Sequence, residues 1–444
     1  MRRQKRRVVH IALLYICCLI TLSACALPGQ AQTGPSFSAS TSTACSQGKV
    51  QIYQQNRPDT QGDWPLFHGN AQRNGAAVNG QSKLTPAWTY CTGAAIFSSP
   101  IVHNGLVYVA STNTTLTALD IKSATVRWQM HADAPFYSTP AIDGNTIYAG
   151  SQGGTIYALD ASTGAMHWKY HVDVAGAKIW SSPVVANHLL VVGLASNLNE
   201  QPRIAGQVIA LDTTTGELRW RTYTQANQAP GGGAWSSPAI DPAQHTVFSG
   251  IGDPDDGALA MNLADGKPLW HWRSVTRDVG DQDVGAGPAL YNDAQGHQHV
   301  ILGGKNGYMY NLDATNGEEL WKTALGNSFY GTAAYANNTI YTVNSHSGHA
   351  TCWALDATTG QIRWHSDIPV TVYSSPVLSG ITLYLSVGDS FGLSNPGGVE
   401  VLDAASGHLI QNVDLHSSTT ASPAVLASWV FVGTGGGNLY ALTR

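Results

Sequence analysis

A unit of about 40 to 55 residues recurs along most of the chain. It runs Ser-Ser/Thr-Pro, an apolar alternation ending near Tyr-x-Gly, then Ala-Leu-Asp-x-x-Thr-Gly-x-x-x-Trp. The clearest second halves are Ala158-Leu159-Asp160…Thr163-Gly164…Trp168, Ala210…Asp212…Thr215-Gly216…Trp220 and Ala354…Asp356…Thr359-Gly360…Trp364. Weaker copies end at Trp128, Trp270 and Trp321, and one carries Gln411 at the Trp position. The proline half recurs at Pro100, Pro140, Pro183, Pro238, Pro288, Pro376 and Pro423, with a degenerate copy through Gly331-Thr332-Ala333. Runs such as Leu106-Val107-Tyr108-Val109 and Thr146-Ile147-Tyr148-Ala149 are β-branched and aromatic and are bounded by turn residues, the pattern of short strands. Each Thr-Gly pair falls where a tight turn needs a positive φ. A four-stranded unit cannot bury both its faces alone, so copies must stack, and radial stacking gives a propeller.

The last copy is incomplete: Leu439-Tyr440-Ala441-Leu442 is followed only by Thr443 and Arg444. The Trp strand it lacks stands at the other end, at Leu84-Thr85-Pro86-Ala87-Trp88. Pairing these two segments would close the ring and remove its open edges. The expected fold is therefore all-β: an eight-bladed β-propeller of four-stranded blades over residues 62–444, closed by N- and C-terminal strands.

Ahead of the repeats, Arg2, Arg3, Lys5, Arg6 and Arg7 precede an apolar run from Val8 to Leu22. That run is short for a membrane span and suits a signal-peptide core. It ends in Leu22-Ser23-Ala24-Cys25, which resembles a bacterial lipobox, implying a signal peptide over 1–24 and a diacylglycerol thioether on Cys25. Residues 25–61 are rich in Ser, Thr, Ala, Gln and Gly and read as a flexible tether. No later stretch approaches 18 apolar residues, so the rest is expected to be soluble, held outside the cytoplasm at the cell envelope. A net charge of −5 gives no reason to expect nucleic acid as a partner, and a monomer is expected. The 16 His residues show no ligand spacing. Beyond the signal peptide and Cys25 remain Cys45, Cys91 and Cys352, either with one disulfide, Cys45–Cys91, or as isolated thiols.

The Ala…Asp…Thr-Gly…Trp unit resembles the tryptophan-docking motif of the quinoprotein alcohol dehydrogenase superfamily, over Trp64 to Arg444. The resemblance implies that each Trp docks between the Ala and the Gly peptide of the neighbouring blade. It is nearest in flavour to polyvinyl-alcohol dehydrogenases, and non-enzymatic outer-membrane assembly scaffolds share the repeat, so fold alone does not fix function.

The resemblance also implies a pyrroloquinoline quinone site with Ca²⁺. Gly193…Glu200…Gly206 is similar to the loop carrying a Glu ligand, and Gly231-Gly232-Gly233-Ala234-Trp235 to the floor under the quinone. Gly250-Ile251-Gly252-Asp253 resembles a ligand turn in which Asp253 replaces Asn, a suitable hard oxygen donor. Arg277-Asp278-Val279-Gly280-Asp281-Gln282-Asp283 is similar to the segment of the catalytic Asp, matched best by Asp278, and Lys305 stands where the family places its cation. On this pattern Glu200, Asp253 and Asp278 hold Ca²⁺. Asp278 takes the proton of an alcohol or polyol substrate, and Lys305 stabilises developing oxygen charge.

Each piece has a plainer reading: a solvated loop carboxylate at Glu200, an inner-strand core Trp at 235, turn caps or a structural ion at Asp278, Asp281 and Asp283, and a hairpin turn at Lys305. The family's adjacent cysteines are absent from the expected mature chain, where Cys17 and Cys18 have left with the signal peptide, and no cytochrome domain follows. The rival function is a binding scaffold whose partners are envelope proteins.

Overall fold

The computed structural model describes residues 45–59, 62–77, 83–196, 202–275, 282–388 and 397–443, and the backbone of Phe37–Ser38. All lie in one compact unit, Gly34–Arg444. Eight antiparallel sheets form the eight blades of a propeller, and among the described residues there is no helix. Blades 1 to 7 span residues 101–131, 141–171, 184–223, 239–273, 289–324, 334–368 and 377–414. Blade 8 combines Ala424–Val425, Val430–Gly433 and Asn438–Thr443 with Thr85–Cys91, paired Ala441 to Trp88 and Leu439 to Tyr90. The expected closure is present.

The repeat's chemistry explains the stacking. The Asp of the repeat accepts from the amides of the turn that follows, as Asp160 does from Ser162 and Thr163, and Asn262 does the same in blade 4. A glycine then takes a positive φ, +73° at Gly164 and +74° at Gly216, and in blade 1 Ala124 takes it at +61°. A Cβ at Gly164 would stand 2.7 Å from the Trp128 ring, so the preceding blade's indole lies directly on this glycine. Seven tryptophans, at 88, 128, 168, 220, 270, 321 and 364, each donate Nε1–H to a turn carbonyl of the next blade at 2.8–3.0 Å. At the eighth junction no turn joins the outer two strands of blade 8, because they come from distant parts of the chain. An amide does the docking there: Gln411 donates to the Leu84 carbonyl at 2.8 Å and accepts from its N–H at 2.7 Å. The departure from Trp at this copy thus follows from the closure itself.

Around the axis, backbone amides donate to hydroxyl oxygens of the next blade: Ser99 to Thr139, Thr139 to Ser182, Ser182 to Ser237, Thr332 to Ser375, Ser375 to Ser422, and Ser422 to Ser99. The Ser-Ser/Thr-Pro signature is therefore an axial belt. Blade 5 interrupts it with Gly287, where a Cβ would meet Thr332 Oγ1 at 2.7 Å.

One end of the axis is capped by residues 64–77, which bond to inner strands in succession. The Pro65, Ala71, Gln72, Asn74 and Gly75 carbonyls accept from Ile142, Ile240, Leu290, Tyr335 and Leu378. The Arg73 side chain is fully buried and donates to the Phe67, Ser182, Pro183 and Pro238 carbonyls.

Part of the expected tether, 25–61, is laid on the ring. Val50–Ile52 pairs with Thr85–Cys91 as a fifth strand of blade 8, and a Cys45–Cys91 disulfide (Cα–Cα 5.8 Å) fixes it. Phe37–Ser38 pairs in parallel with Val413–Asp414 of blade 7. Cys352 is a buried free thiol.

Glu400 is buried in blade 7, and burial pushes its carboxyl up to about 7. A carboxyl with a raised folded-state value favours folding below its unfolded value and loses that contribution as pH rises through the folded one. Stability is therefore expected to fall by up to a few kcal/mol between about pH 4.5 and 7. Glu400→Gln should flatten that slope and raise the melting temperature at pH 8; an unchanged profile would place the titration elsewhere.

Candidate axial site

Inner strands enter their blades from the end of the axis opposite the cap, and the sequence-predicted residues that are described gather at that entrance. Trp235 lies just ahead of Ala239–Asp241, the inner strand of blade 4. Asp253 follows Thr246–Ile251 of the same blade, and Lys305 follows Gln298–Gly303 of blade 5. Lys305 Nζ sits 4.8 Å from the centroid of the Trp235 ring, a cation–π contact. The same ammonium donates to Asp283 Oδ2 at 2.8 Å, and the Lys305 amide donates to the Asp283 carbonyl at 2.8 Å. The Asp253 amide donates to Asp283 Oδ1 at 2.8 Å. Asp283 thus ties Asp253 of blade 4 to Lys305 of blade 5 beside the indole.

Glycines make this approach feasible. A Cβ at Gly252 would lie 2.7 Å from Asp283 Oδ1 and 3.2 Å from Trp235 Nε1. At Gly285 it would lie 2.8 Å from Trp235 Cη2, so the ring is seated between two glycines of adjacent blades. Any side chain at either position would push the indole or the carboxylate aside.

Asp256 completes a carboxylate group with Asp253 and Asp283: one oxygen from each lies within 4.8 Å of the others. Asp256 and Asp283 are buried and Asp253 is half-buried. Sequence reasoning missed Asp256, although Asp253-Pro254-Asp255-Asp256 is an acidic run, and favoured Asp278 over Asp283 in its segment. Asp255 is directed elsewhere, to Arg273. Glu200, Asp278 and Asp281 lie outside the described residues, as does Cys25.

The residue before each Ser-Ser/Thr-Pro forms a second feature. Phe97, Tyr137, Trp180, Trp235, Tyr330 and Tyr373 occupy this place in six blades, all half-buried. Ring centroids of Phe97 and Tyr137 are 5.2 Å apart, Tyr137 and Trp180 5.0 Å, Tyr330 and Tyr373 4.9 Å. Blade 5 breaks this belt with Gly285, beside Trp235 and the carboxylates. The recurrence was open to view in the sequence, but the residue type varies between copies.

A planar indole, a paired ammonium and a group of hard oxygen donors together can take a flat ring and a divalent cation. The fold is that of the PQQ-type propellers. The family model described as "Outer membrane protein assembly factor BamB" matches residues 85–137, 130–293 and 255–392, and the chain belongs to this PQQ-repeat family. It is 27% identical over 306 residues to the polyvinylalcohol dehydrogenase of Sphingopyxis sp. (strain 113P3), covering 54% of this chain and 47% of that one. It is also 27% identical over 196 residues to the outer membrane protein assembly factor BamB of Legionella pneumophila (strain Paris), covering 42% and 46%. The chain thus spans about half the length of these curated relatives. A solved europium-containing methanol dehydrogenase superposes with a TM-score of 0.75 at 17% identity, covering 86% of this chain and 98% of that one, a likeness of fold.

Proposed function

We propose that the chain is a lipid-anchored quinoprotein dehydrogenase of the cell envelope that oxidises an alcohol or polyol. The observation carrying this reading is the convergence of Lys305, Asp283 and Asp253 beside the Trp235 ring. The donor set fits the group it would hold: three carboxylates within 4.8 Å suit Ca²⁺, and a seated indole suits a planar quinone. When bound, the quinone would supply a hydride acceptor and Ca²⁺ a Lewis acid.

The chain's own residues have distinct tasks. Trp235 offers a flat apolar face, and Lys305, now over that face, competes with any ring that stacks there. Asp283 holds the ammonium beside the indole through its ion pair. Asp253 and Asp256, with Glu200, provide oxygen donors. Asp278 is the proposed base that takes the alcohol proton, and Lys305 then offsets negative charge on the reacting oxygens.

The test is turnover of primary, secondary and polymeric alcohols with an artificial dye acceptor, after loading with quinone and Ca²⁺. Asp278→Asn should keep loading and lower turnover by 10²-fold or more, on the order expected for a general base. Turnover undiminished in Asp278→Asn assigns the base to another group, with Asp283 the first alternative.

A scaffold that presents its loops to envelope proteins is the second reading, favoured by the assembly-factor relatives. Both readings share export and the anchor. Cys25→Ala should release folded protein from the membrane fraction; retention after a carbonate wash would contradict the lipobox.

A further inference from the structure

The aromatic belt is larger than a cofactor floor requires, since a single indole suffices to seat one planar ring. Five further rings stand half-exposed around the axis, although the same residue types are buried between blades elsewhere, as Tyr108, Phe136 and Phe248 are. Half-exposed aromatic rings that meet across successive blades mark a ligand surface. Its polar groups narrow the ligand. The hydroxyls of Tyr137 and Tyr330 make no hydrogen bond to other described residues. Trp180 Nε1–H is enclosed without a partner among them. The belt is also flanked by three carboxylates, and Lys305 beside them is already paired with Asp283.

We infer that the aromatic belt at the end of the axis opposite the cap, Phe97, Tyr137, Trp180, Trp235, Tyr330 and Tyr373, binds a neutral saccharide. Three features select that chemistry. A pyranose presents an apolar C–H face that packs on aromatic rings, while its rim of hydroxyls meets the Tyr137 and Tyr330 hydroxyls. An anionic ligand would face three carboxylates beside Trp235, where Lys305 is already paired with Asp283. A wholly apolar ligand would leave the Tyr137 and Tyr330 hydroxyls without partners. Neighbouring rings about 5 Å apart on successive blades let one ligand touch several of them, so affinity should rise with saccharide length. As a statement about binding the inference rests on the belt; as a statement about substrate it rests on the dehydrogenase reading.

The experiment titrates full-length protein, free of quinone and Ca²⁺, with cellohexaose and with glucose, following tryptophan fluorescence and calorimetric heat. Cellohexaose should bind and glucose should bind more weakly. Tyr137→Leu and Trp180→Leu, which keep apolar bulk without a ring, should each weaken cellohexaose by roughly 3- to 10-fold, the scale of one aromatic contact. Tyr137→Phe should lose less than Tyr137→Leu. No binding at millimolar cellohexaose overturns the inference, as does binding indifferent to both Leu variants while they melt like the parent. Tighter binding of polyacrylate or of tetramethylammonium than of cellohexaose also overturns it, by assigning the belt to a charged ligand. A parallel quinone titration separates the two readings. Quinone binding without saccharide binding sinks this inference alone, whereas saccharide binding without quinone binding leaves it standing and removes the dehydrogenase.

Discussion

Trp88→Ala should destabilise the propeller more than the same change at Trp168. Trp88 is fully buried, and its Nε1–H is bonded to the Ile121 carbonyl of blade 1, whereas Trp168 is only half-buried. Removing a buried Trp costs about 3–5 kcal/mol, and the orphaned carbonyl adds about 1–3 kcal/mol. That is a large fraction of the roughly 5–15 kcal/mol by which a domain is stable. The strand also carries the closure: it pairs with Asn438–Thr443, and its loss would leave two unpaired edges. Urea denaturation should show a lower midpoint for Trp88→Ala than for Trp168→Ala. Equal midpoints at equal slope would mean that the terminal pairing contributes no more than any other junction.

Arg73→Ala is the second large effect. The guanidinium is the donor for four carbonyl oxygens from the cap and from blades 3 and 4, in a place without solvent. Each buried carbonyl left unpaired costs about 1–3 kcal/mol, so the summed loss should be about 4 kcal/mol or more. The cap should loosen as a unit, and amide exchange at Ile142, Ile240, Leu290, Tyr335 and Leu378 should accelerate together. Protection unchanged at those amides would mean that the backbone ladder holds the cap without Arg73.

Much of this architecture was legible because its determinants repeat. The Asp turn, the positive-φ glycine and the docking Trp recur at one spacing, so blade number and closure could be read from the stray Trp88 and the incomplete last copy. Gln411 was visible as an exception, but its reason lay in three dimensions, where Leu84 replaces the turn that a Trp would meet. The cap was not legible, because its ladder uses backbone groups that any sequence possesses, and Arg73 looks like an ordinary surface charge. At the site, the order of Trp235, Asp253 and Lys305 was informative, and the three converge. The part played by Asp283 could not be chosen from its segment, since three carboxylates there differ only in where the chain turns. Asp256 belongs to no recurring position. The belt escaped notice because Phe, Tyr and Trp alternate at one place in the repeat.

The proposed dehydrogenase function requires that the Trp235 site take a planar quinone together with Ca²⁺. Its most direct test adds pyrroloquinoline quinone to the metal-free protein, with and without millimolar Ca²⁺, following quinone absorbance and melting temperature together. Native-state binding at 100 times Kd should add about 2.7 kcal/mol of stability. An absorbance shift and a raised melting temperature are expected, both requiring Ca²⁺ and both lost in Trp235→Ala. No shift and no stabilisation in the parent protein, or the same response in Trp235→Ala, would contradict that function.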